Sequence, residues 1–238
     1  MKEQTNKSIS ITWAEKKWIL DHRRVLIQEE EELLILSDIH IGLYSSLRTQ
    51  GSYLPNYDQN LLMDQLSSLI KDYKNFHWII AGDIKHNHAK LPDIQDDELE
   101  ELTLFLQLIL QNRQVTFILG DHDSGFEEIC EYLGLQCIVQ DSFKLGDIEI
   151  THKLENYNNK NLQLIIGHIH PTISTEQIKG IFIPIFAINN NIIILPAFNQ
   201  VAGGYNIKKI NYLKNLEIFP IIKDKIYSFG LLKDIDQF

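Results

Sequence analysis

The sequence predicts an α/β fold in which two packed sheets are flanked by helices. Helical periodicity lies mainly in the first half of the chain, and strand patterns dominate from Gln136 onward. Five short apolar runs are each followed by Asp or His, and such runs are typical of buried strands. Polar groups that follow parallel strands meet at one rim of a sheet, where α/β folds bind ligands. The five runs are Leu33–Leu36, Trp78–Ala81, Thr116–Leu119, Glu149–Thr151 and Leu164–Ile166.

The first half of the chain alternates between strand and helix patterns. A polar loop over Gly42–Asp58 precedes a helix from Asp58 through Tyr73, whose apolar residues recur at helical spacing. The other elements predicted in this half are, in order, the hairpin strands Lys17–Leu20 and Arg24–Gln28, the loop His86–Asp97, the helix Glu98–Asn112 and the short helix Ser124–Leu133.

The second half is predicted to be mostly strand. Asn189, Asn190 and Asn191 indicate a turn between two of these strands. The predicted strands are Gln136–Gln140, Phe143–Leu145, Ile148–His152, Leu162–Ile166, Ile181–Ile188 and Asn191–Leu195, with further edge strands at Ile207–Ile210, Leu216–Phe219 and Ile226–Phe229.

Length and hydropathy limit the number of domains and the classes of protein to which the chain can belong. The 238 residues fit one large domain or two small ones, and because no linker is visible we expect a single domain over residues 1–238. No apolar run approaches the roughly 20 residues of a membrane-spanning helix. The first ten residues are polar, without the apolar stretch of a secretion signal, so a cytoplasmic location is expected. Cys130 and Cys137 are expected to be reduced thiols.

The net charge argues against broad electrostatic binding of nucleic acid. The formal charge is −10 at pH 7, whereas proteins that mainly grip a nucleic-acid backbone are usually basic. An acidic enzyme still attracts phosphate locally when divalent ions dominate the field of its cleft. The charge therefore does not exclude a phosphate-containing ligand, such as a nucleotide or a locally bound nucleic acid, and the oligomeric state stays open.

The residues that follow the five runs form a pattern of metal-ligand type. Any one of these segments occurs often by chance, but five in order at strand ends are hard to assign to chance. Carboxylate and imidazole without thiolate suit Mn²⁺, Fe or Zn²⁺. Seven candidate ligands exceed the four of a closed structural zinc site and suffice for two ions if one carboxylate bridges. The segments are Asp38-Ile39-His40, Gly82-Asp83, Gly120-Asp121-His122-Asp123, His152 and Gly167-His168-Ile169-His170.

This order of segments resembles the calcineurin-like metallophosphoesterase superfamily, whose pattern is D-x-H, G-D, G-N-H-[DE], H and G-H-x-H. The resemblance implies a four-layered α/β/β/α sandwich and hydrolysis of phosphomonoesters or phosphodiesters at a centre of two divalent ions, Mn²⁺ first, with Fe or Zn²⁺ as alternatives. It also implies roles for individual residues: Asp38, His40 and His170 on the first ion, Asp83 bridging, Asp121, His152 and His168 on the second ion, and His122 as general acid or phosphate-stabilising group oriented by Asp123.

A narrower resemblance covers about residues 20–205. It points to the ligase-associated DNA-damage-response phosphoesterases and their archaeal relatives, which implies a nuclease in DNA repair. Its signals are the loop with Arg48, Gly51 and Pro55, the segment His170-Pro171, and Leu195-Pro196-Ala197-Phe198 followed by Gly203-Gly204.

One position departs from the superfamily pattern. Asp121 stands where the superfamily usually has Asn. The carboxylate still offers an oxygen but adds a negative charge, from which we expect tighter metal retention and weaker polarisation of water. The Asp at position 121 also leaves open a second class of function, in which the protein is a catalytically weak scaffold that acts through protein interaction. His122 argues against that class, because the position for proton transfer is filled.

Other polar residues near the motifs are candidates for the substrate side of the site. Arg48 is a candidate for binding substrate phosphate through its planar guanidinium, the alternative being a solvated loop arginine. His86 is expected to line the cleft or to orient a ligand, and His88 to be exposed. Lys85 and Lys153 each follow a candidate ligand, and either adds positive potential there or points to solvent.

Overall fold

The computed structural model describes residues 6–49, 51, 57–154, 162–174, 181–210 and 215–237, with side chains described in these ranges except at 57–60 and 235–237. Its first sheet runs in chain order across seven strands of the described residues. The first four strands are antiparallel hairpin neighbours, and the last four run parallel to one another. The strands are β1 (Ser8–Trp13), β2 (Lys16–Asp21), β3 (Val25–Gln28), β4 (Leu33–Leu36), β5 (His77–Ala81), β6 (Val115–Ile118) and β7 (Ile138–Gln140).

Four α-helices occur in the described residues. Buried residues of the first sheet, such as Trp78 and Phe117, form one apolar cluster with helix residues such as Leu66, Phe105 and Phe126. This cluster buries the apolar side of each helix, which is where most helical stability in proteins originates. The helices are α1 (Leu43–Thr49), α2 (Tyr57–Asp72), α3 (Asp96–Leu110) and α4 (Phe126–Tyr132).

The second sheet has a mixed topology. In the described residues its order is β14-β11-β12-β13-β10-β9-β8, with β15 pairing with β12, β16 and β17. Strand β10 lies at the centre of this sheet and pairs in parallel with both of its neighbours, β9 and β13. The strands are β8 (Phe143–Leu145), β9 (Ile148–Thr151), β10 (Gln163–Ile166), β11 (Pro171–Ile173), β12 (Ile183–Asn189), β13 (Ile192–Ile194), β14 (Tyr205–Asn206), β15 (Glu217–Ile222), β16 (Lys225–Ile226) and β17 (Gly230–Leu231).

The two sheets pack face to face. Trp18 and Ile79 of the first sheet share a buried cluster with Ile165 and Phe186 of the second. The outer face of the second sheet forms a further cluster, to which Ile207 and Leu232 contribute from two 3₁₀ turns. The predicted α/β/β/α arrangement is therefore confirmed, with the outermost layer built from 3₁₀ turns in the part of the chain that the structure describes.

Some predicted elements differ in the structure. The predicted loop Gly42–Asp58 contains helix α1, while residues 50 and 52–56 lie outside the described part. Ile207–Ile210 was predicted as a strand, but Ile207–Lys209 is a 3₁₀ turn because the Asn206 side chain caps it, accepting the backbone N–H of Lys208 at 3.1 Å. Strand β1 was not predicted, although its buried end at Trp13 packs between the sheets.

The five apolar runs lie in β4, β5, β6, β9 and β10, with Leu119 just beyond β6, so their assignment as strands is confirmed. The first three of these strands are parallel, as are the last two. Their C-terminal ends therefore carry the candidate ligands to one rim of the sandwich. No helix in the described residues is long and apolar enough to cross a membrane.

Candidate metal centre

The candidate ligands sit on strained backbone at the strand ends. Asp38, His40, Asp83, His168 and His170 all have φ between 46° and 62°. This left-handed region is uncommon for residues other than glycine and persists only where the surroundings enforce it. Here backbone hydrogen bonds join the loops, since the N–H of Asp38 donates to the Gly82 carbonyl at 3.0 Å and that of His40 to the Asp83 carbonyl at 2.9 Å.

A first group of donors comprises Asp38, His40, Asp83 and His170. One ligand-type atom from each lies within 4.8 Å of the others. Asp38 is fully buried and His40 is 5% exposed. The Nε2 atoms of His40 and His170 are 3.3 Å apart, and His170 Nε2 lies 3.3 Å from Asp38 Oδ1. Because His170 Nδ1 donates to the Gly203 carbonyl at 2.8 Å, its Nε2 is the nitrogen that faces the group.

A second group comprises Asp83, His152 and His168, and it meets the same 4.8 Å limit. His152 Nδ1 donates to the Ala81 carbonyl at 3.0 Å, which turns Nε2 toward Asp83 Oδ1 at 3.4 Å. His168 Nδ1 lies 3.2 Å from His152 Nε2. Asp83 belongs to both groups, so it is the carboxylate placed to serve two ions.

The donor set fits divalent cations. Ring nitrogens that face each other at 3.2–3.3 Å repel unless a proton or a cation lies between them. Both pairs are lined by Asp38 or Asp83, which are almost completely buried and would supply the opposite charge. Imidazole and carboxylate are ligands that Mn²⁺, Fe and Zn²⁺ share, so the arrangement suits two such ions without selecting one.

Electrostatics within the ion-free site favour a protonated His152. Burial lowers the pKa of His152, but Asp83 and Asp38 outweigh it and raise the pKa from 6.5 to about 9. Burial and the neighbouring His170 instead lower the pKa of His40 to about 4. For Asp83, burial opposes ionisation, yet the hydrogen bond with His152 holds its pKa well below the usual range. From the raised pKa we expect metal-free protein to carry a proton on His152 at neutral pH.

Metal uptake is expected to expel that proton. At pH 7.5, titration of metal-free protein with Mn²⁺ should release about one proton as the second group fills, because His152 must be neutral to coordinate. Apparent affinity should rise with pH until about 9. Without metal, the raised pKa adds stability below pH 6.5, and this contribution is lost as pH rises through about 9. Calorimetry in buffers of different ionisation enthalpy measures the proton number, and a value of zero would contradict the assignment.

Three motif glycines leave room for ligands on neighbouring segments. A Cβ on Gly82 would collide with the His152 ring, and one on Gly120 would collide with Asp83. A Cβ on Gly167 would lie 2.7 Å from Asp38 Oδ2. Gly82 also has a φ of 90°, which side chains rarely adopt. Each glycine therefore allows a ligand from another strand end to approach the backbone closely.

His122 lies beside both donor groups. Its backbone N–H donates to Asp83 Oδ1 at 3.1 Å, and its Nδ1 donates to the His86 carbonyl. The rings of His40 and His122 are 5.1 Å apart. His88 is exposed, as expected, and its ring stacks on that of His122 with the centroids 4.4 Å apart. The imidazole of His122 is thus fixed from both sides, with Nε2 as the nitrogen available to a substrate.

Asp123 holds the loops rather than the His122 ring. It is 1% exposed, and its Oδ1 accepts the backbone N–H groups of Ile84 and Lys85 at 2.8 and 3.0 Å. Its Oδ2 accepts the N–H of Gly120 at 2.7 Å. The resemblance implies that Asp123 orients His122, and the contacts described for Asp123 lie on the backbone that carries Asp83 and His122.

Asp123→Ala is expected to destabilise the metal-free protein by about 3–5 kcal/mol, because hydrogen bonds to charged groups contribute about 1.5–3 kcal/mol each and three backbone N–H groups, two of them in buried contacts, lose their acceptor. Denaturant unfolding of metal-free protein measures the change. Asp147→Ala, an exposed turn residue, is the control and should change stability by less than about 0.5 kcal/mol. Equal stability of the two variants would show that Asp123 does not hold the loops.

Asp121 lies at the rim of the second group. Its Oδ2 is 3.7 Å from His168 Nδ1, and the Lys153 ammonium forms an ion pair with its Oδ1. The side chain is 41% exposed, unlike the buried Asp38 and Asp83. The hydrogen bond from Lys153 is the main cause that lowers the pKa of Asp121. Among the predicted ligands, Asp121 is the one that the structure leaves outside both donor groups.

The candidate substrate residues differ in position. His86 is half-buried and, with His40 and His122, forms a third close group of imidazoles. Burial lowers its pKa, so it is neutral near pH 7. Arg48 on α1 pairs instead with Glu101 of α3 at 3.2 Å. Lys85, one of the lysines flanking a ligand, is fully buried and donates to the carbonyls of Asn87 and Ala89 at 2.6 and 2.7 Å.

Sequence reasoning missed Asn199 as a supporting residue. Asn199 is fully buried, and its Nδ2 donates to the Ile39 carbonyl at 2.9 Å. Its backbone N–H donates to the Asp38 carbonyl at 3.3 Å. The signal was present, because Asn199 directly follows Phe198 in a segment that the resemblance singled out.

Two packed sheets whose strand ends bring Asp and His side chains into two groups define the metallophosphoesterase class of fold. The model of the calcineurin-like phosphoesterase family matches residues 32–226. The chain belongs to this family. The match includes every candidate ligand, from Asp38 to His170.

A solved structure with a TM-score above 0.5 shares the fold of this chain at low sequence identity. Nuclease MPE from Pseudomonas putida superimposes with a TM-score of 0.70 and 17% identity, covering 93% of this chain and 100% of that chain. The E. coli phosphoesterase Yfce has a TM-score of 0.40 and 15% identity, covering 84% of this chain and 93% of that chain. No curated protein matched the chain by sequence.

Proposed function

We propose that the protein is a metal-dependent phosphodiesterase, with the whole chain acting as one catalytic domain and Mn²⁺ as its preferred ion. The observation that carries the proposal is the pair of donor groups sharing Asp83. In this assignment Asp38, His40 and His170 would hold one ion, and His152, His168 and the rim residue Asp121 the other. A pair of divalent ions neutralises phosphoryl oxygens and activates water for in-line attack.

The remaining chemistry belongs to His122. Its Nδ1 donates to the His86 carbonyl, so Nε2 is the nitrogen that would face the substrate, and Nε2 would be a donor only in the imidazolium form. From there it would donate either to the leaving oxygen as a general acid or to a phosphoryl oxygen as an electrostatic stabiliser. Asp123 would keep the loop of His122 in register with Asp83 through its three backbone contacts.

Nucleic acid is the proposed substrate class, with a role in DNA repair. The support is the shared fold with a protein described as a nuclease, MPE, together with the loop and Pro-Ala-Phe segment of the narrower resemblance. The net charge of −10 favours a substrate bound at the ions themselves over one gripped along an extended basic surface. We therefore expect short single-stranded ends or loops to be cut in preference to long duplex. The cytoplasmic location stays a prediction.

The proposed function is tested with metal-free protein to which Mn²⁺ is returned. Hydrolysis of bis-para-nitrophenyl phosphate should exceed that of para-nitrophenyl phosphate, and single-stranded DNA should be cleaved. Chelator-treated protein is the control. Protein that holds two ions but hydrolyses neither ester nor DNA would overturn the proposal in favour of the scaffold alternative. Hydrolysis of the monoester alone would replace a diesterase with a phosphatase.

A further inference from the structure

Lys153 places a positive charge next to the second donor group. It directly follows His152 in the chain, and its ammonium pairs with Asp121 Oδ1. The other oxygen of Asp121 points toward His168 Nδ1 at 3.7 Å. Asp121 therefore has one oxygen turned to the donor group and one held by the lysine.

This ion pair is readily exchanged. The side chains of Lys153 and Asp121 are 37% and 41% exposed, and exposed pairs of this kind contribute little to stability. Breaking the pair thus costs little when another cation offers Asp121 a better interaction. The lysine nonetheless stays close, because the backbone of His152 tethers it.

The two donor groups also differ in exposure. In the first group Asp38 is fully buried and His40 is 5% exposed, so bulk water does not compete there. In the second group the His168 side chain is 44% exposed, and Asp121, at the rim of this group, already pairs with the Lys153 ammonium. The first group is therefore shielded from solvent. The second group is partly exposed, and Lys153 already occupies one oxygen of the carboxylate at its rim.

We propose that Lys153 is a tethered competitor for Asp121, which weakens binding of the second ion and makes the two sites unequal in affinity. The proposal rests on the dinuclear centre proposed above. Without a second ion, Lys153 neutralises the carboxylate; with a second ion, the ammonium must leave Asp121 and remain near a divalent cation. Both effects favour exchange of the second ion while the first is retained.

A double-mutant cycle on metal affinity tests this inference. Calorimetric titration of metal-free protein with Mn²⁺ should show two steps in the wild type. Lys153→Met should tighten the weaker step about threefold to tenfold, because both the competition and the charge repulsion are removed. In an Asp121→Asn background the same change should have a smaller effect, less than about twofold, since only the solvent-screened repulsion between Lys153 and the ion is left to remove.

Two controls separate competition from general charge effects. Lys153→Arg keeps a cation beside Asp121 and should resemble the wild type, while Lys71→Met removes the same charge from an exposed position on α2. Equal tightening by Lys153→Met in both backgrounds would overturn the competition, and so would weaker binding in Lys153→Met. A wild type that takes up a single Mn²⁺ ion would instead overturn the dinuclear centre itself.

Discussion

Replacing Asp83 with alanine is expected to lower Mn²⁺-dependent phosphodiester hydrolysis by about 10³-fold or more and to reduce the bound metal to one ion or none. Asp83 belongs to both donor groups, with Oδ1 3.4 Å from His152 Nε2 and Oδ2 3.8 Å from His40 Nε2. Its Oδ1 also accepts the backbone N–H of His122. One substitution therefore removes the ligand common to two ions and a contact that positions His122.

Asp38→Ala is the matched comparison, because Asp38 belongs to the first donor group alone. That variant should keep the ion of the second group, whereas Asp83→Ala should keep neither firmly. Elemental analysis after dialysis against a defined Mn²⁺ concentration counts ions per chain. Two ions retained by Asp83→Ala would show that Asp83 does not bridge.

His122→Ala is expected to retain both ions and the fold while lowering kcat by about 10²–10⁴-fold. The expectation follows from the position of His122 beside the donor groups, where its Nδ1 is tied to the His86 carbonyl. A variant within about twofold of the wild type would remove His122 from the mechanism. His88→Ala, which deletes the stacked neighbour and leaves His122 intact, is the control and should lose far less activity.

The choice of leaving group separates the two roles of His122. A general acid matters most when the leaving oxygen is basic, so the loss should be larger for an alkyl ester or a DNA strand than for a nitrophenyl ester. Stabilisation of a phosphoryl oxygen would instead produce similar losses for both. The ratio of the two losses therefore assigns the role, whatever their absolute size.

Much of the fold was predictable because the site-bearing strands are short apolar runs with sharp polar ends. Leu33–Leu36 is predicted and observed with the same bounds. Elements that depend on tertiary contacts were not predictable. The helix Leu43–Thr49 has a polar sequence, yet its first three residues are buried against the rest of the molecule. The segment Ile207–Ile210, with isoleucine at both ends, resembles a strand, but capping by Asn206 ends the extended conformation before it.

For the candidate site, the motifs predicted which residues come together. They did not predict which atoms those residues contact. Each ligand segment follows a strand, so the positions of the strand ends determine where the candidate ligands meet. The partners of Asp123 and Asp121 depend instead on side-chain packing between segments about 30 residues apart, such as Lys153 against Asp121. A sequence pattern read one segment at a time does not contain that information.

The donor groups draw on both sheets, which has a consequence for the order of events during synthesis. Asp38, His40 and Asp83 follow strands of the first sheet, while His152, His168 and His170 follow strands of the second. His40 and His170, whose ring nitrogens face each other, are 130 residues apart in the chain. A nascent chain on the ribosome thus exposes Asp38, His40 and Asp83 long before the histidines that complete the two donor groups emerge. Ions bound after release would then connect ligands from the two sheets and stabilise a sandwich that has already formed.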